Sequence, residues 1–316
     1  MSQSNQPLSK AESRNKQRSL NHRITHWVES KKIPRDLLRF KVVFDAFLQR
    51  VFQDHPDGMR WVLKGGTSIL MRNSFGRTTT DLDLARIEKW ESTDEIVRDF
   101  QRIAERAGDD PFSFTVKRAK TKHLGDAGGY RSEVVEVAVD AHIGTLLFQS
   151  FTIDVSQYRH TQDPFDEVEV TPLLGELLGK ETAPFTVYAT AVESQIADKI
   201  CAMSEMYRGG PSTRYHDLAD LVMIIRTLDF DAALLVEKLK HEAARRGITA
   251  PSRVEPPASW KGSYERNAPG FYLLPEQFHN LPAATVFVGK CLDPVLGGAV
   301  VSGRWNHTTE SWDLNQ

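Results

Sequence analysis

The sequence contains little cysteine and no long apolar segment. Its 316 residues include only two cysteines, Cys201 and Cys291, which lie ninety positions apart. Two distant thiols exclude a disulfide framework and a thiolate metal site, and we expect both side chains to be buried. No run of about 18 apolar residues is present, so no segment is expected to span a bilayer. The polar segment 1–16 lacks the apolar core of a secretory signal, which predicts a cytoplasmic protein.

Histidine is scattered along the chain, and the net charge is close to zero. The ten histidines, among them His123, His142 and His216, show no spacing typical of metal ligands, so we assign them no chemistry. Residues 1–64 hold thirteen Lys and Arg against six Asp and Glu, a local charge of +7 in a chain whose net charge is −2. Such a basic region indicates an anionic partner, and a solvated helix face is the alternative interpretation.

Apolar periodicity predicts an α+β region followed by a helical region. Alternation through Val135, Val137 and Val139 predicts a half-buried antiparallel strand, one of several in the first half of the chain. We expect a mixed sheet flanked by helices over residues 1–180, and a mainly helical lobe over residues 181–316. The predicted helices lie at 8–30, 37–51, 92–107, 190–206, 214–228, 231–246 and 281–294, and the predicted strands at 61–63, 80–84, 112–119, 134–143 and 148–155.

Three further segments carry local signals. Ser92 to Glu95 and Thr190 to Glu193 have the pattern of capping boxes, which predicts that each opens a helix. His55-Pro56-Asp57-Gly58 predicts a turn. The proline-rich segment 247–270 is expected to be irregular.

Asp81 and Asp83 are two positions apart in a segment of strand character. Both side chains therefore leave the same face of the strand, with their carboxylates a few ångströms apart. Two hard oxygen donors on one rigid edge can hold Mg²⁺, whose remaining ligands are water and phosphate oxygens. A surface strand that carries two aspartates without any metal is the competing interpretation.

The segment Lys64-Gly65-Gly66-Thr67-Ser68 lies between a short strand and a helix. Backbone N–H groups, hydroxyls and the positive end of the helix dipole make such a position favourable for phosphate oxygens. A strand-to-helix turn that needs glycine only for a positive φ is the alternative. Arg72 and Arg77 flank this turn and the acidic strand, where each could clamp a triphosphate or remain a solvated loop charge.

Asp154 lies in an apolar strand, within Phe151-Thr152-Ile153-Asp154-Val155. Burying a carboxylate is costly unless it is paired or bound to a metal, so Asp154 is either a third metal ligand or a strand-end cap. Three carboxylates from two strands, with Asp154 as the base for an incoming hydroxyl, would suit two-metal phosphoryl transfer.

Four ordered motifs give the sequence a family resemblance. Their residues are Lys64-Gly65-Gly66-Thr67, Thr79-Thr80-Asp81-Leu82-Asp83-Leu84, Glu193-x-x-x-Ala197-Asp198-Lys199-Ile200 and Arg214-x-x-Asp217-Leu218-x-Asp220-Leu221. In these motifs, and over about residues 10–225, the chain resembles the AbiEii/AbiGii toxins, which include the mycobacterial MenT toxins. These are nucleotidyltransferase-like proteins of the DNA polymerase β superfamily, so the resemblance implies that α+β fold.

The resemblance also implies roles for single residues. It places Gly65 and Gly66 in a nucleotide-binding turn, Asp81 and Asp83 in a metal pair, and Lys199 opposite the triphosphate of an NTP. It places Asp217 at the acidic position of the fourth motif, whereas Asp154 is supported only by its strand. Thr67 stands where the superfamily often has serine, and it keeps the hydroxyl.

Lys199 and Asp217 can also be interpreted without the resemblance. Lys199 lies between Ile196 and Ile200 on an amphipathic helix, so its stem can pack while its ammonium reaches a phosphate. A surface lysine is the alternative. Asp217 can orient Lys199 or Arg214, or form only an i,i+3 pair with Arg214 worth about 0.2 to 0.5 kcal/mol.

The resulting hypothesis is a toxin that moves NMP from an NTP to an RNA acceptor. The resemblance makes the tRNA 3′ end the expected acceptor, blocked translation and growth the expected result, Mg²⁺ or Mn²⁺ the cofactor, and a cognate antitoxin a partner. A nucleotidyltransferase acting on a small molecule or a protein side chain is one alternative, and a catalytically silent nucleotide-binding module is another. Phosphorylation of Thr79 would add negative charge beside Asp81 and block nucleotide entry.

Overall fold

The structure, a computed structural model, describes residues 9–53, 60–73, 79–125, 131–157, 165–207 and 210–314. The predicted turn at residues 55–58 and the candidate residue Arg77 lie outside these ranges. The chain forms two compact units, of which the first takes most of the chain up to Ala189 and the second consists mainly of the residues from Thr190 onward. In the described part of the chain, no helix is both long enough and apolar enough to cross a membrane.

The first unit combines five helices with a sheet in the residues that the structure describes. The helices are α1 (Lys10–Lys31), α2 (Arg35–Val51), α3 (Gly65–Asn73), α4 (Thr93–Ala104) and α5 (Leu173–Leu178). The strands are β1 (Trp61–Leu63), β2 (Asp81–Arg86), β3 (Phe112–Gly125), β4 (Arg131–Ile143), β5 (Leu146–Gln157), β6 (Phe165–Val170) and β7 (Phe185–Thr190). The predicted α+β class is confirmed, and β3, β4 and β5 extend beyond their predicted ends.

The seven strands form one mixed sheet in the order β3-β4-β5-β2-β1-β7-β6. Strand β5 is antiparallel to β4 and parallel to β2, and β1 is antiparallel to β2 and parallel to β7. The division between the two units falls between Ala189 and Thr190, at the end of β7, and the predicted boundary at residue 180 stays a prediction. The non-consecutive pairing of β2 with β5 brings two acidic segments side by side.

Helix α2 covers one face of the sheet. Its residues Phe44 and Phe47 pack edge-on against Phe151 of β5, with ring centroids 5.5 and 5.4 Å apart. Phe151 shares its face of β5 with Ile153 and Val155, which are also buried. Because successive strand side chains alternate, Asp154 projects from the opposite face of the sheet.

Helix α1 is polar along most of its length and is held to its neighbours by a few contacts. Ser9 and Glu12 form a capping box at its start, and Leu20 and Ile24 are its buried apolar residues. Arg39 of α2 donates to Asn21 Oδ1 at 2.8 Å, which ties the two helices together. Helix α1 therefore lies beside α2, on the helical side of the sheet.

The second unit is mainly helical, as predicted. Its helices are α6 (Val192–Ser204), α7 (His216–Thr227), α8 (Ala232–Arg246), α9 (Lys261–Asn267) and α10 (Leu281–Leu296). Its short strands are β8 (Met206–Tyr207), β9 (Gly210–Pro211), β10 (Phe230–Asp231), β11 (Arg304–Asn306) and β12 (Ser311–Asp313). Cys201 and Cys291 are both free and buried in this unit, as the sequence predicts.

One local prediction is wrong in the second unit. The segment 247–270 contains α9, because Trp260 and Tyr264 are buried and anchor it to the unit. The two predicted capping-box segments each stand at the start of a helix, α4 and α6, as the sequence predicts. Ser92 makes no side-chain cap of α4, and Glu95 accepts from Arg86 at 2.6 Å. Glu193 accepts from the Asp231 N–H at 2.7 Å.

Candidate active site

The three predicted metal-binding carboxylates meet on one face of the sheet in the first unit. Asp81 and Asp83 project from β2, and Asp154 projects from the adjacent strand β5, directly opposite Asp83 in the parallel register. One carboxylate oxygen from each residue lies within 4.8 Å of the other two. This spacing allows a single cation to contact all three side chains.

The environment of Asp154 fits a cation. Its Oδ1 atom is buried and has no hydrogen-bond partner among the described residues, and the nearest positive group, Lys122 Nζ, is 3.5 Å away. Burial raises the pKa of the Asp154 carboxyl, Lys122 opposes that rise, and the charges of Glu136 and Asp81 add to it. A hard divalent cation such as Mg²⁺ would relieve both the lost solvation and the repulsion.

Gly65 is required at the start of α3 for two independent reasons. Its φ is +59°, in the left-handed region that favours glycine. A Cβ atom at this position would lie 1.9 Å from Asp83 Oδ2 and 2.7 Å from Asp83 Cγ. The Lys64 N–H also donates to the Asp83 carbonyl oxygen at 2.8 Å. The turn and the second aspartate of the metal pair are therefore built against each other.

The hydroxyls after this turn bond to the backbone. Gly66, Thr67 and Ser68 are all buried. Thr67 Oγ1 donates to the Asp81 carbonyl oxygen at 2.8 Å, and Ser68 Oγ donates to the Gly65 carbonyl oxygen at 3.0 Å. The Thr67 hydroxyl fixes the turn to β2 and the Ser68 hydroxyl closes the turn on itself, so the geometry gives their predicted direct contact with phosphate no support.

Thr79 orients the first aspartate of the pair. Its hydroxyl donates to Asp81 Oδ1 at 2.9 Å, and the residue is only 3% exposed. A kinase could reach this hydroxyl only if the segment opened. Phosphorylation of Thr79 therefore stays a prediction, which intact-mass analysis of the protein produced with its antitoxin would test.

Of the two arginines predicted as possible clamps for a triphosphate, the structure describes Arg72 and not Arg77. The Arg72 guanidinium is 8% exposed, and its Nη2 lies 2.8 Å from Asp166 Oδ2 of β6. This ion pair joins the end of α3 to the sheet, so Arg72 already has a structural partner. Arg77 lies outside the described residues.

Lys199 and Asp217 belong to a buried ionic cluster in the second unit. Lys199 Nζ lies 2.9 Å from Asp217 Oδ1 and 2.7 Å from Asp220 Oδ2, and Arg214 Nε lies 2.7 Å from Asp217 Oδ2. Burial opposes the charged form of Lys199, but the two carboxylates outweigh burial and raise the pKa of the ammonium. Lys199 therefore stays protonated, and Asp217 contacts both of the cations considered from the sequence.

Sequence reasoning assigned no role to three charged residues beside the candidate residues. Asp220 is the second carboxylate on Lys199, whereas Glu136 faces Asp154 across the β4–β5 pair and Lys122 contacts both Glu136 and Asp154. The position of Glu136 between Val135 and Val137 is a usable signal, since alternation places it on the face away from the core. Nothing in the sequence alone gives the register that sets it against Asp154.

Together, the glycine turn, the paired strand carboxylates and the mixed sheet define the nucleotidyltransferase class of fold. The family described as "Nucleotidyl transferase AbiEii toxin, Type IV TA system" matches residues 46–283, about three quarters of the chain. The chain therefore belongs to the AbiEii family of nucleotidyltransferase toxins of type IV toxin–antitoxin systems.

Solved structures with a similar fold include two bacterial proteins. The nucleotidyltransferase toxin MenT4 from Mycobacterium tuberculosis H37Rv is 22% identical, with 76% of this chain and 75% of that chain covered and a TM-score of 0.48. JHP933 from Helicobacter pylori is 15% identical, with 84% and 93% covered and a TM-score of 0.45. Among proteins with curated functions, none matches the chain.

Proposed function

We propose that this toxin transfers a nucleotidyl group from an NTP to an RNA acceptor, with the tRNA 3′ end as the expected acceptor and blocked translation as the result. The observation that carries the proposal is the convergence of Asp81, Asp83 and Asp154 beside the Gly65 turn. Membership of a type IV toxin family implies a cognate antitoxin. The expected site of action is the cytoplasm.

The residues of the first unit suit an in-line displacement. Asp81, Asp83 and Asp154 would hold Mg²⁺ or Mn²⁺, which supplies charge neutralisation for a triphosphate. The glycine turn places backbone near Asp83, where the phosphates are expected to bind. The Asp154 carboxylate would accept the proton of the acceptor hydroxyl. The new bond joins that oxygen to the α-phosphorus, and the bond to pyrophosphate breaks.

Lys199 and Asp217 are proposed to contribute to the same reaction from the second unit. The support for this role is the family motif together with the protonated state of Lys199. The two carboxylates keep Lys199 charged and in a defined position, and contact with a phosphate oxygen would require its ammonium to exchange one of these partners. Lys64 is assigned to the nucleotide turn, where its Nζ lies 3.1 Å from Ser156 Oγ.

Labelled NTPs test the proposed reaction directly. The protein is incubated with each of the four α-labelled nucleotides, Mg²⁺ and total tRNA, and we expect label on RNA with at least one of them. Asp81→Asn removes one carboxylate charge and should lower transfer about 100-fold or more. Absence of label with all four nucleotides would contradict RNA as the acceptor. Growth arrest that persists in Asp81→Ala would favour the catalytically silent module.

Helix α1 supports an RNA partner. Together with α5 it forms a groove of about 770 Å³ on the first unit, whose lining carries basic and aromatic side chains and one carboxylate, namely Asn15, Arg18, Ser19, His22, Arg23, His26, Trp27, Glu176, Leu177 and Gly179. Lys/Arg neutralisation and ring stacking are the contacts that single strands and phosphate backbones need.

The groove and the carboxylates are expected to bind different parts of one RNA. Gln17 of α1 donates to the Leu147 carbonyl oxygen, seven residues before Asp154 on β5. At about 3.3 Å per residue, that end of β5 is roughly 23 Å from Asp154. Moreover, α1 lies on the helical side of the sheet, whereas the carboxylates project from the other face. The groove therefore suits a segment distant from the reacting end.

Charge reversal within α1 tests this part of the proposal. Arg18→Glu/His22→Glu changes the groove, whereas Arg14→Glu/Lys16→Glu changes exposed residues of the same helix outside it. We expect the first pair to weaken tRNA binding at least about tenfold more than the second in filter-binding titrations. Equal losses would indicate a diffuse charge effect. Unchanged binding and labelling in both variants would favour a small-molecule or protein acceptor.

A further inference from the structure

A lysine of the first unit lies where it can compete with a metal ion. Lys122, near the end of β3, places its Nζ 3.5 Å from Asp154 Oδ1, and the same Nζ contacts Glu136. Its side chain is one third exposed, so the ammonium can move without leaving water. Among the described residues it is the positive group in contact with the proposed metal ligand Asp154.

The neighbouring strands give Lys122 a second carboxylate to contact. Glu136 is directly opposite Asp154 in the β4–β5 register, and Asp154 is directly opposite Asp83 in the β5–β2 register. Three carboxylates thus form a row across adjacent strands, with Lys122 at one end and the metal pair at the other. Lys122 can keep its contact with Glu136 while it gives up its contact with Asp154.

The contact with Asp154 is the weaker of the two. At 3.5 Å it is an ion pair without a good hydrogen bond, and Asp154 Oδ1 is buried with no hydrogen-bond partner in the described part of the chain. The ammonium thus partly compensates the Asp154 charge but does not satisfy its oxygen. A divalent ion would bind that oxygen more strongly and would be repelled by an ammonium left beside it.

We propose that Lys122 is a tethered cation that compensates Asp154 when no metal ion is bound, and that it lowers the affinity of the site for the ion. When the ion binds, Lys122 keeps its contact with Glu136 and releases Asp154. The residue thereby sets the metal concentration at which the site fills. This inference rests on the metal centre of the proposed function and does not depend on the identity of the acceptor.

Metal binding to the purified full chain tests the proposal without any activity assay. Free Mn²⁺ is measured by electron paramagnetic resonance at pH 8. We expect Lys122→Met, which keeps an unbranched stem without the charge, to lower the Kd for Mn²⁺ about fivefold to twentyfold. Lys122→Arg, which keeps the charge, should stay within about twofold of the wild type.

Lys120→Met is the matched control. Lys120 lies on the same strand as Lys122, and its Nζ pairs with Glu136 Oε1 at 2.8 Å rather than with Asp154. We expect its Kd to change much less than that of Lys122→Met. In an Asp154→Asn background, the effect of Lys122→Met should shrink, because the contested oxygen has lost its charge.

Two results would overturn the proposal. An unchanged or raised Kd in Lys122→Met, with a melting temperature near that of the wild type, would show that Lys122 only supports the carboxylates. If Lys122→Met does not fold, an equal Kd in Lys122→Gln would give the same answer. The variant Asp81→Asn serves as the reference for weak binding. If neither the wild type nor any Lys122 variant binds more Mn²⁺ than Asp81→Asn does, the metal centre itself is rejected, and the proposed function with it.

Discussion

Gly65 shows how a single residue can couple backbone geometry to a charged site. Its positive φ turns the chain from β1 into α3, and the missing side chain leaves room for the Asp83 carboxylate. The sequence leaves two interpretations open for this glycine, a phosphate-binding turn or a turn that needs only a positive φ. The structure shows the positive φ and, at the same residue, a close approach to the Asp83 carboxylate, so a substitution at Gly65 acts on the metal pair directly.

Gly65→Ala is expected to lower nucleotidyl transfer at least about 100-fold, because the new Cβ overlaps the Asp83 carboxylate and displaces it from its position in the metal pair. The free energy of unfolding of this variant should also fall by about 1 to 2 kcal/mol, because alanine is strained in the left-handed backbone conformation. Gly247→Ala is the matched control, since Gly247 has a φ of +64° and nothing within 4 Å of the added Cβ. Transfer assays and urea unfolding separate the effects, and equal activity losses would contradict the carboxylate explanation.

Residue-level prediction succeeded where alternation and strand pairing sufficed. Asp81, Asp83 and Asp154 can be placed on like faces from their strands alone, and their juxtaposition follows once the strands pair. The hydroxyl of Thr67 could not be assigned, because sequence does not reveal whether a hydroxyl faces a ligand or a neighbouring carbonyl. For Lys199, the contribution of Asp220 depends on how α6 packs against α7, which periodicity does not give.

At the scale of elements, tertiary contacts rather than local sequence signals determine the partners of charged side chains. Glu95 and Glu193 stand where a capping box needs a glutamate, yet each binds a group from another element. The prolines around α9 predicted an irregular segment, whereas two buried aromatic residues stabilise a helix there. Element positions were predictable because apolar periodicity is local, whereas the partners of charged side chains were not.

The ion cluster between α6 and α8 provides a test at this scale. Arg246 is 5% exposed and contacts Glu205, Glu242 and Asp198, and Glu205 is fully buried. Arg246→Met should lower the free energy of unfolding by about 3 to 5 kcal/mol, because it leaves buried carboxylates without their main counter-charge.

Arg245→Met is the control for Arg246→Met. Arg245 forms a bidentate pair with Glu242 but is 22% exposed, so its loss should cost about 1 kcal/mol or less. Urea titrations followed by circular dichroism measure both variants. Similar losses in the two would mean that Arg246 is not the centre of the cluster.

At the scale of the whole molecule, the net charge of −2 is the sum of a basic N-terminal region and an acidic remainder. The basic residues of α1 and the carboxylates of β2 and β5 lie on opposite sides of one sheet in the first unit. The sequence predicts both regions from composition and spacing. It could not predict that a sheet separates them, because that depends on which face α2 covers. The RNA proposal therefore requires two separate contacts.

The two cysteines allow a test of the second unit as a whole. Burial raises the pKa of the Cys201 thiol to about 12, and it also raises the pKa of the Cys291 thiol. At pH 8 both groups are protonated and inaccessible, so we expect no reaction of the folded protein with a disulfide reagent such as DTNB and two reactive thiols in guanidinium. Rapid labelling of either thiol in the folded protein would contradict their burial.

Both thiols belong to the second unit, and the first unit holds none. Thiol labelling during a denaturant titration is therefore a natural reporter of how the second unit opens, with no engineered probe. Circular dichroism follows the seven-stranded sheet of the first unit as well. If the two signals change at different denaturant concentrations, the toxin unfolds in two stages, and the half carrying Asp81, Asp83 and Asp154 can be studied while the other half is open.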